Sequence, residues 1–588
     1  MDAGRDFGRR AHNRNVCSVN LWTCRRSRAY RPTLEAPTSR SLTASCALTE
    51  VALVAGVGPN IGQRVATLLA QSGAAVACVD RDAQTAKECS ELAAREGVDT
   101  LAIAGDVSSA GALHSLDVAV MAPVFVEDEL AGWVGNAIHQ VDMGAMSPGR
   151  APLAVDAYQE GINIRGLKLV REGVIDQQIF QLFSDNVRMP RYQNMDLRAQ
   201  ISANLAAGAK LESLIEKYGL DAYRESCEIS LDLAEQSARE RIRNLPDGHY
   251  EREEFLDYDH AYRLRATLDV DGDTLRFDLS GTDPQSRTFI NSAEPCTVAN
   301  MHNILACQLF PDLDVNEGTF RAIDITIPPG TLLSAQFPAP TSGASTLAGW
   351  KAQQLALGLI SQAVMGSDQE FRAQAQWGWA FTEASWSGRD REQRWFSMKG
   401  DSTMHGGGAR RHADGIDVAN IAGSTNTALP SVESYELRYP VLYRSRGIVP
   451  DSEGAGEFRG GFAGEWTRVL YGVDEANDLT FCIGRDYGAA GVEGGNPASV
   501  VIKRDSDVWE KLADHVPSFD ELSGESELLP QQPKALHNSL RNVDVIHVTG
   551  MGGGGFGAPT ERAREAVLSD VAQGLVSPER AASVYGLD

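Results

Sequence analysis

Two histidines in this chain are each followed three residues later by an aspartate: His114 with Asp117, and His139 with Asp142. On a turn or at a helix start, that spacing aims an imidazole and a carboxylate at one ion. The stretches 117–125 and 130–139 read as two strands joined by a turn at Glu127-Asp128-Glu129. If they pair as a hairpin, the start of one lies beside the end of the other, and His114, Asp117 and His139 converge. Such an N/O donor set suits a divalent transition metal, Mn²⁺ or Zn²⁺, which polarises a carbonyl or activates water. Asp142 is then a fourth ligand or orients His139. The plainer alternative is that each histidine bonds its own aspartate and does nothing more.

Other chemistry-bearing residues are more scattered. Asp278 and Asp283 flank a Ser-Gly-Thr turn, and Glu433 and Glu436 lie close together. Asp278 and Glu433 are the candidate acid/base carboxylates, although such residues more commonly cap turns or face solvent. Gly406–Gly408 and Gly552–Gly555 permit close backbone approach, either to a developing oxyanion or simply between strands. No Gly-Lys-Ser/Thr follows them, so neither is a Walker loop. Cys296 and Cys307 have no flanking basic charge to lower a thiol pKa, which makes them weak nucleophile candidates.

The elements that position these residues fall in three stretches. Residues 1–48 hold nine arginines and no lysine, and read as a disordered leader, with a transit peptide as the alternative. Residues 49–110 read as β-α-β-α-β, with strands at 51–55, 74–79 and 100–104 and a helix at 84–96. Between the first strand and its helix lies a turn containing Gly56, Gly58 and Gly62. Glycines there let a pyrophosphate approach the helix N-terminus, while Asp80, ending the second strand, accepts from ribose hydroxyls. Residues 111–588 form a larger body with a long helical region at 196–244, a strand pair around Asp271-Gly272, and a helical C-terminus. The expected class is α+β: a partial Rossmann-like βαβαβ unit, then a large mixed-sheet body with long helices.

Composition narrows the function. Over 588 residues, 79 acids against 54 bases leave a net charge of −25, which repels nucleic acid. No apolar run is long enough to span a bilayer, so no membrane partner is expected. Nine cysteines, none in a Cys-x-x-Cys pair, fit a reducing cytoplasm.

Two resemblances follow. Residues 49–108 resemble the start of a short-chain dehydrogenase/reductase: Ala55-Gly56 and Gly62 match its glycine pattern with Asn60 in the middle place, and Asp106-Val107 matches its adenine-contacting pair. That family's Tyr-x-x-x-Lys is missing, since Ile162 stands four residues after Tyr158. The fragment is therefore read as vestigial, and NAD(P) is not expected as a working cofactor.

Most of the chain, about 111–588, resembles the hydantoinase B/oxoprolinase family, which includes N-methylhydantoinase B, the C-terminal half of 5-oxoprolinase and the acetone carboxylase α subunit. The resemblance rests on ordered blocks: Gly111-Ala-Leu-His114-Ser-Leu-Asp117, His139-Gln-Val-Asp142-Met-Gly144, Asp278-Leu-Ser-Gly-Thr-Asp283, Pro450-Asp-Ser-Glu-Gly454, Gly552–Gly557 and Gly574-Leu-Val-Ser-Pro578. It implies a subunit of an ATP-dependent cyclic-amide hydrolase, or of a related carboxylase. ATP would be held by a hydantoinase A-type partner in a hetero-oligomer, and manganese in the carboxylase branch supports a metal at His114, Asp117 and His139. A family segment expected before His114, with an Asn-Asp-Pro element, is not found. An inactive chimera or assembly partner is the reading from a different class.

Overall fold

The computed structural model describes residues 116–588 apart from 127, 148–150, 165, 399–403, 420–421, 423–428, 430, 485–493, 530–537 and 588. Before 116 it describes positions 22–25, 50–55, 75–80, 100–104 and several between 87 and 95. Two compact units result: one of residues 1–111, 117–140 and 162–220, the other of 112–116, 141–161 and 221–588. This division differs from the expected boundary near 110, because the hairpin and the segment 162–220 group with the N-terminal stretch.

In the first unit, strands β1 (Trp22–Arg25), β2 (Glu50–Ala55), β3 (Ala75–Asp80) and β4 (Thr100–Ala104) form one sheet in that order. β2–β3 and β3–β4 are parallel, as continuous apolar runs such as Val51–Ala55 favour. β1 pairs antiparallel with β2. It comes from the leader read as disordered, whose composition did not announce a strand. Positions 87, 90–92 and 94 are helical, inside the expected helix 84–96. The glycine turn with Gly56, Gly58 and Gly62, the helix after it, and Asp106 lie outside the described residues. Three parallel strands are described.

The expected hairpin forms from β5 (Asp117–Val126) and β6 (Glu129–His139). Asp128 takes φ 80° at its turn, a left-handed conformation that aspartate tolerates better than most residues. A two-residue pair, β7 (Val170–Arg171) with β8 (Val174–Ile175), leads into α1 (Gln177–Asn186), capped by Asp176. Helix α2 (Pro190–Tyr218) follows, with proline in its first turn.

The helical region expected over 196–244 is two helices. Gly219, at φ 91°, ends α2, and α3 (Leu220–Ile242) begins at once. The second unit then builds three sheets. β9 (Gly248–Asp257), β10 (Ala261–Asp271) and β11 (Thr274–Asp278) form a meander that β12 (Ile323–Thr326) extends. The Asp271-Gly272 turn is where expected, with Gly272 at φ 60°. β13 (Phe381–Arg389), β14 (Trp395–Met398), β17 (Glu475–Ile483) and β20 (Asn538–Arg541) form the second sheet in the order 14-13-17-20. β15 (Val441–Ile448), β16 (Gly464–Leu470), β18 (Ser499–Arg504), β19 (Glu525–Leu528) and β21 (Val545–Thr549) form the third, in the order 15-16-21-18-19. Both are antiparallel throughout.

Helix α4 (Glu294–Leu309) and, after the short α5 (Glu317–Phe320), helix α6 (Ala348–Val364) pack together, and α6 lies on β9 and β10. Every residue of α6 but Gln362 is buried, as befits a helix apolar almost all round. Shorter helices complete the unit: α7 (Val432–Arg438), α8 (Val508–Leu512), α9 (Arg564–Ala572) and α10 (Pro578–Ser583). No described helix is long and apolar enough to cross a membrane.

Candidate functional site

The hairpin's open end brings together the first and last residues of its two strands. Asp117 and His139 are register partners, and Nδ1 of His139 lies 3.3 Å from Oδ1 of Asp117. The imidazole is 42 % exposed and the carboxylate 14 %, so the pair faces solvent from a supported base.

Helix α2 supplies that support. Gln193, Leu197, Gln200, Asn204 and Gly208 recur at helical spacing and make one face. Gln200 Nε2 donates to the Val118 carbonyl at 2.7 Å, and Asn204 Nδ2 to the Val120 carbonyl at 2.8 Å. Asn136 on β6 donates from Nδ2 to Asn204 Oδ1 at 2.7 Å and to the Gln200 carbonyl at 3.0 Å. Gly208 leaves room for Val124. A two-stranded hairpin has only edges, and here side-chain amides satisfy carbonyls along one of them. The bond to Val118 holds the backbone next to Asp117.

Two donors bound to one cation at about 2.1 Å each stand roughly 3.0–3.4 Å apart. The 3.3 Å separation of Asp117 and His139 therefore fits a shared cation as well as it fits an ion pair. His114 lies outside the described residues. Asp142 is buried, 1 % exposed, and its Oδ1 accepts from the Gly144 N–H at 3.1 Å. Among the described residues, no group of three or more His, Cys, Asp or Glu is gathered to hold a metal.

The remaining expected residues are not drawn to one place. Asp278 ends β11, where its Oδ1 accepts from the Ser280 N–H at 2.9 Å. Glu433 sits in the first turn of α7 and accepts from Ser431 Oγ at 2.7 Å, a bond that lowers its pKa. Each carboxylate is engaged in a local cap, the commoner use of such residues. Asp80 ends β3 as expected, opposite Ala104. Cys296 is 1 % exposed, and burial pushes the Cys307 thiol up, away from thiolate chemistry.

Of the two uses expected of the glycine loops, the close approach of backbone to backbone is the one these contacts favour. Most of their N–H groups are already taken by neighbouring carbonyls. Gly406 N donates to Met551 O, Gly407 N to Ile416 O, Gly553 N to Gly461 O, and Gly554 N to Gln376 O, all at 2.8–3.0 Å. A Cβ on Gly406 would stand 1.8 Å from Gly461 O, and one on Gly553 would stand 2.0 Å from Gly407 O. Several backbone segments stack too closely for any side chain, so these glycines serve packing.

A polar cluster that the sequence reading missed lies between β9 and α6. Oε1 of Glu254 accepts from Arg252 at 3.0 Å and from the Gln376 amide. Lys351, in the first turn of α6, is 6 % exposed, with Nζ 3.8 Å from Glu254 Oε2. The signal was present: Lys351 is the only charge in a 17-residue helix that is otherwise apolar or amide- and hydroxyl-bearing.

Comparison with known proteins bears on what this arrangement does. The sequence matches the Hydantoinase B/oxoprolinase family over residues 62–559, a match that begins inside the stretch read as Rossmann-like. The B-type subunit of a putative D-/L-hydantoinase from Pseudomonas sp. (strain NS671) is 29 % identical, covering 81 % of this chain and 79 % of that protein. The beta subunit of the caprolactamase from Pseudomonas jessenii is 31 % identical, covering 81 % and 80 %. The crystal structure of the ATP-dependent caprolactamase from Pseudomonas jessenii superposes with a TM-score of 0.71 at 26 % identity, over 81 % of this chain and 80 % of that one. The mixed α/β architecture with open sheets is thus one this chain shares with a solved relative.

Proposed function

The chain belongs to the hydantoinase B/oxoprolinase family, and on that premise we propose that it is a subunit of an ATP-dependent hydrolase of cyclic amides. It works in a hetero-oligomer with a hydantoinase A-type ATPase subunit, which holds the nucleotide, and acts on a small ring amide. The observation that carries the reading is the family match over most of the chain. The relatives named for a hydantoinase and a caprolactamase, both ring-amide chemistries and both subunits, support it. The cytoplasm is the compartment that suits the scattered cysteines, of which Cys227, Cys296, Cys307 and Cys482 are not in disulfides among the described residues.

Resonance makes a ring amide a poor electrophile. Phosphorylation of its oxygen, at the expense of ATP on the partner, makes the ring carbon open to water. We assign Asp117 and His139 to a divalent cation, Mn²⁺ or Zn²⁺. When bound, such a cation polarises a carbonyl and lowers the pKa of water. Asp117 sets the orientation of the His139 ring through Nδ1, and α2 holds the hairpin end so that the two stay within 3.3 Å.

The test is reconstitution. The chain is purified with a hydantoinase A-type subunit and supplied with ATP and either hydantoin or caprolactam. Ring opening that requires ATP and both subunits is expected. A complex that assembles and hydrolyses neither ring under any divalent-metal condition overturns the proposal.

A further inference from the structure

The strip where α6 meets β9 is polar, and its hydrogen-bonding capacity is not used up. Glu254 is held through Oε1 alone, by Nε and Nη2 of Arg252 at 3.0 Å and by the Gln376 amide. Among the described residues, Oε2 has Lys351 as its partner, at 3.8 Å, beyond the ~2.7–3.2 Å of a hydrogen bond. The two side chains keep 7 % and 8 % exposure, so the strip is not sealed. One turn along the same face of α6 comes Gln354, 2 % exposed. Its Oε1 accepts from the Trp377 N–H at 3.1 Å, while Nε2 has no hydrogen-bond partner among the described residues. One turn further stands Gly358, with the Arg252 guanidinium where its Cβ would be. The strip therefore holds one unused acceptor, Oε2, and two unused donors, Lys351 Nζ and Gln354 Nε2. Two cations against one anion leave it net positive.

We propose that this strip recognises the edge of a cis amide, with Glu254 Oε2 accepting the ring N–H and Lys351 Nζ donating to the ring carbonyl. Gln354 Nε2 is the second donor to that oxygen. In a small cyclic amide the N–H and C=O point to the same side, their nitrogen and oxygen about 2.3 Å apart. Two hydrogen bonds of about 2.9 Å that fan slightly outward reach atoms separated by close to the observed 3.8 Å. An open-chain trans amide presents the two groups on opposite sides and engages only one partner at a time. The ring-opened product has lost the edge altogether, so the strip favours substrate over product. A buried ammonium without a hydrogen bond is costly, and a ligand carbonyl relieves that cost where an apolar ligand does not. The choice of ligand class rests on the function proposed above; the donor–acceptor geometry does not.

The experiment measures binding to the full chain by calorimetry, using three probes: 2-pyrrolidinone, its N-methyl derivative, which lacks the donor, and N-methylacetamide, which is open and trans. The ring amide with its N–H is expected to bind at least tenfold more tightly than either of the others. Lys351→Met is expected to bring it down to their level, and Lys351→Arg to restore part of the difference. Equal binding of 2-pyrrolidinone and its N-methyl derivative, or no binding of any probe, leaves the strip as a structural ion pair only and overturns the proposal. The probe comparison on the unaltered chain decides even if a variant fails to fold. A reconstituted complex that opens rings while the chain shows no such preference sinks this assignment and leaves the functional reading intact. A chain that keeps the preference within a complex that turns over nothing does the reverse.

Discussion

Replacing His139 by alanine separates a functional pair from a structural one, because the two roles differ in size. The imidazole is 42 % exposed and meets the Asp117 carboxylate at 3.3 Å. Ion pairs with that much water access contribute about 0–1 kcal/mol, since solvent screening and side-chain entropy offset most of the Coulomb attraction. The hairpin does not depend on the pair for its shape, which the ladder from Asp117↔His139 to Val126↔Glu129 and the amides of α2 maintain. His139→Ala is therefore expected to change unfolding stability by less than about 1 kcal/mol. Loss of a ligand is a different matter, since even outer-sphere partners are worth roughly 10–100-fold in metal affinity. His139→Ala and Asp117→Asn are each expected to lower bound Mn²⁺ or Zn²⁺ by at least that factor, and ATP-dependent turnover of the reconstituted complex with it. The assays are elemental analysis of the dialysed protein, denaturant unfolding and ring-opening rate. Unchanged metal content and turnover, or a stability loss of several kcal/mol in both variants, refutes the reasoning and makes the pair a structural clasp.

Three further outcomes are expected. Asn204→Ala removes the bond to Val120 O and the one from Asn136; a loss of about 2–3 kcal/mol in denaturant unfolding is expected, with faster amide exchange across 117–139. Gly553→Ala drives a Cβ to 2.0 Å from Gly407 O and is expected to exceed the ~1–3 kcal/mol of ordinary overpacking, whereas Gly447→Ala, with open space around it, is expected to be neutral or to stabilise by about 0.4–1 kcal/mol. Burial pushes the pKa of Asp478 up to about 7, against the hydrogen bond from Thr480. From pH 4 to 7 the unfolded chain releases that proton and the folded one keeps it, so wild-type stability from this group falls by up to about 1.4 kcal/mol per pH unit. Asp478→Asn is expected to remove that slope, so that variant stability minus wild-type stability rises from pH 4.5 to 6.5 in urea unfolding.

How far these sites were legible follows from how local their causes are. The hairpin at 117–139 could be read because strand patterning and a charged three-residue turn are local signals, and once the strands pair, register alone sets Asp117 opposite His139. The turn at Asp271-Gly272 was legible for the same reason. The helical region expected over 196–244 is present as two helices, and their division at Gly219 rests on a positive φ that a count of helix-forming neighbours does not reveal. The glycine loops were left open between an oxyanion and a neighbouring strand, because Gly-rich sequence says only that backbone can approach something. That this something is Gly461, Gly407 and Gln376, and not a ligand, depends on segments far apart in the chain.

The order of residues by itself determined kinship, the strands and turns of the hairpin, and the net charge of −25. These follow from spacing and composition, which folding does not alter. Tertiary structure alone decided which polar groups are used up and which are not. Lys351 meets Glu254 from 97 positions away, where a helix lies across a strand. Whether an ammonium is a solvated surface charge or half of a buried recognition pair is a matter of what surrounds it, and surroundings come only with the packed chain.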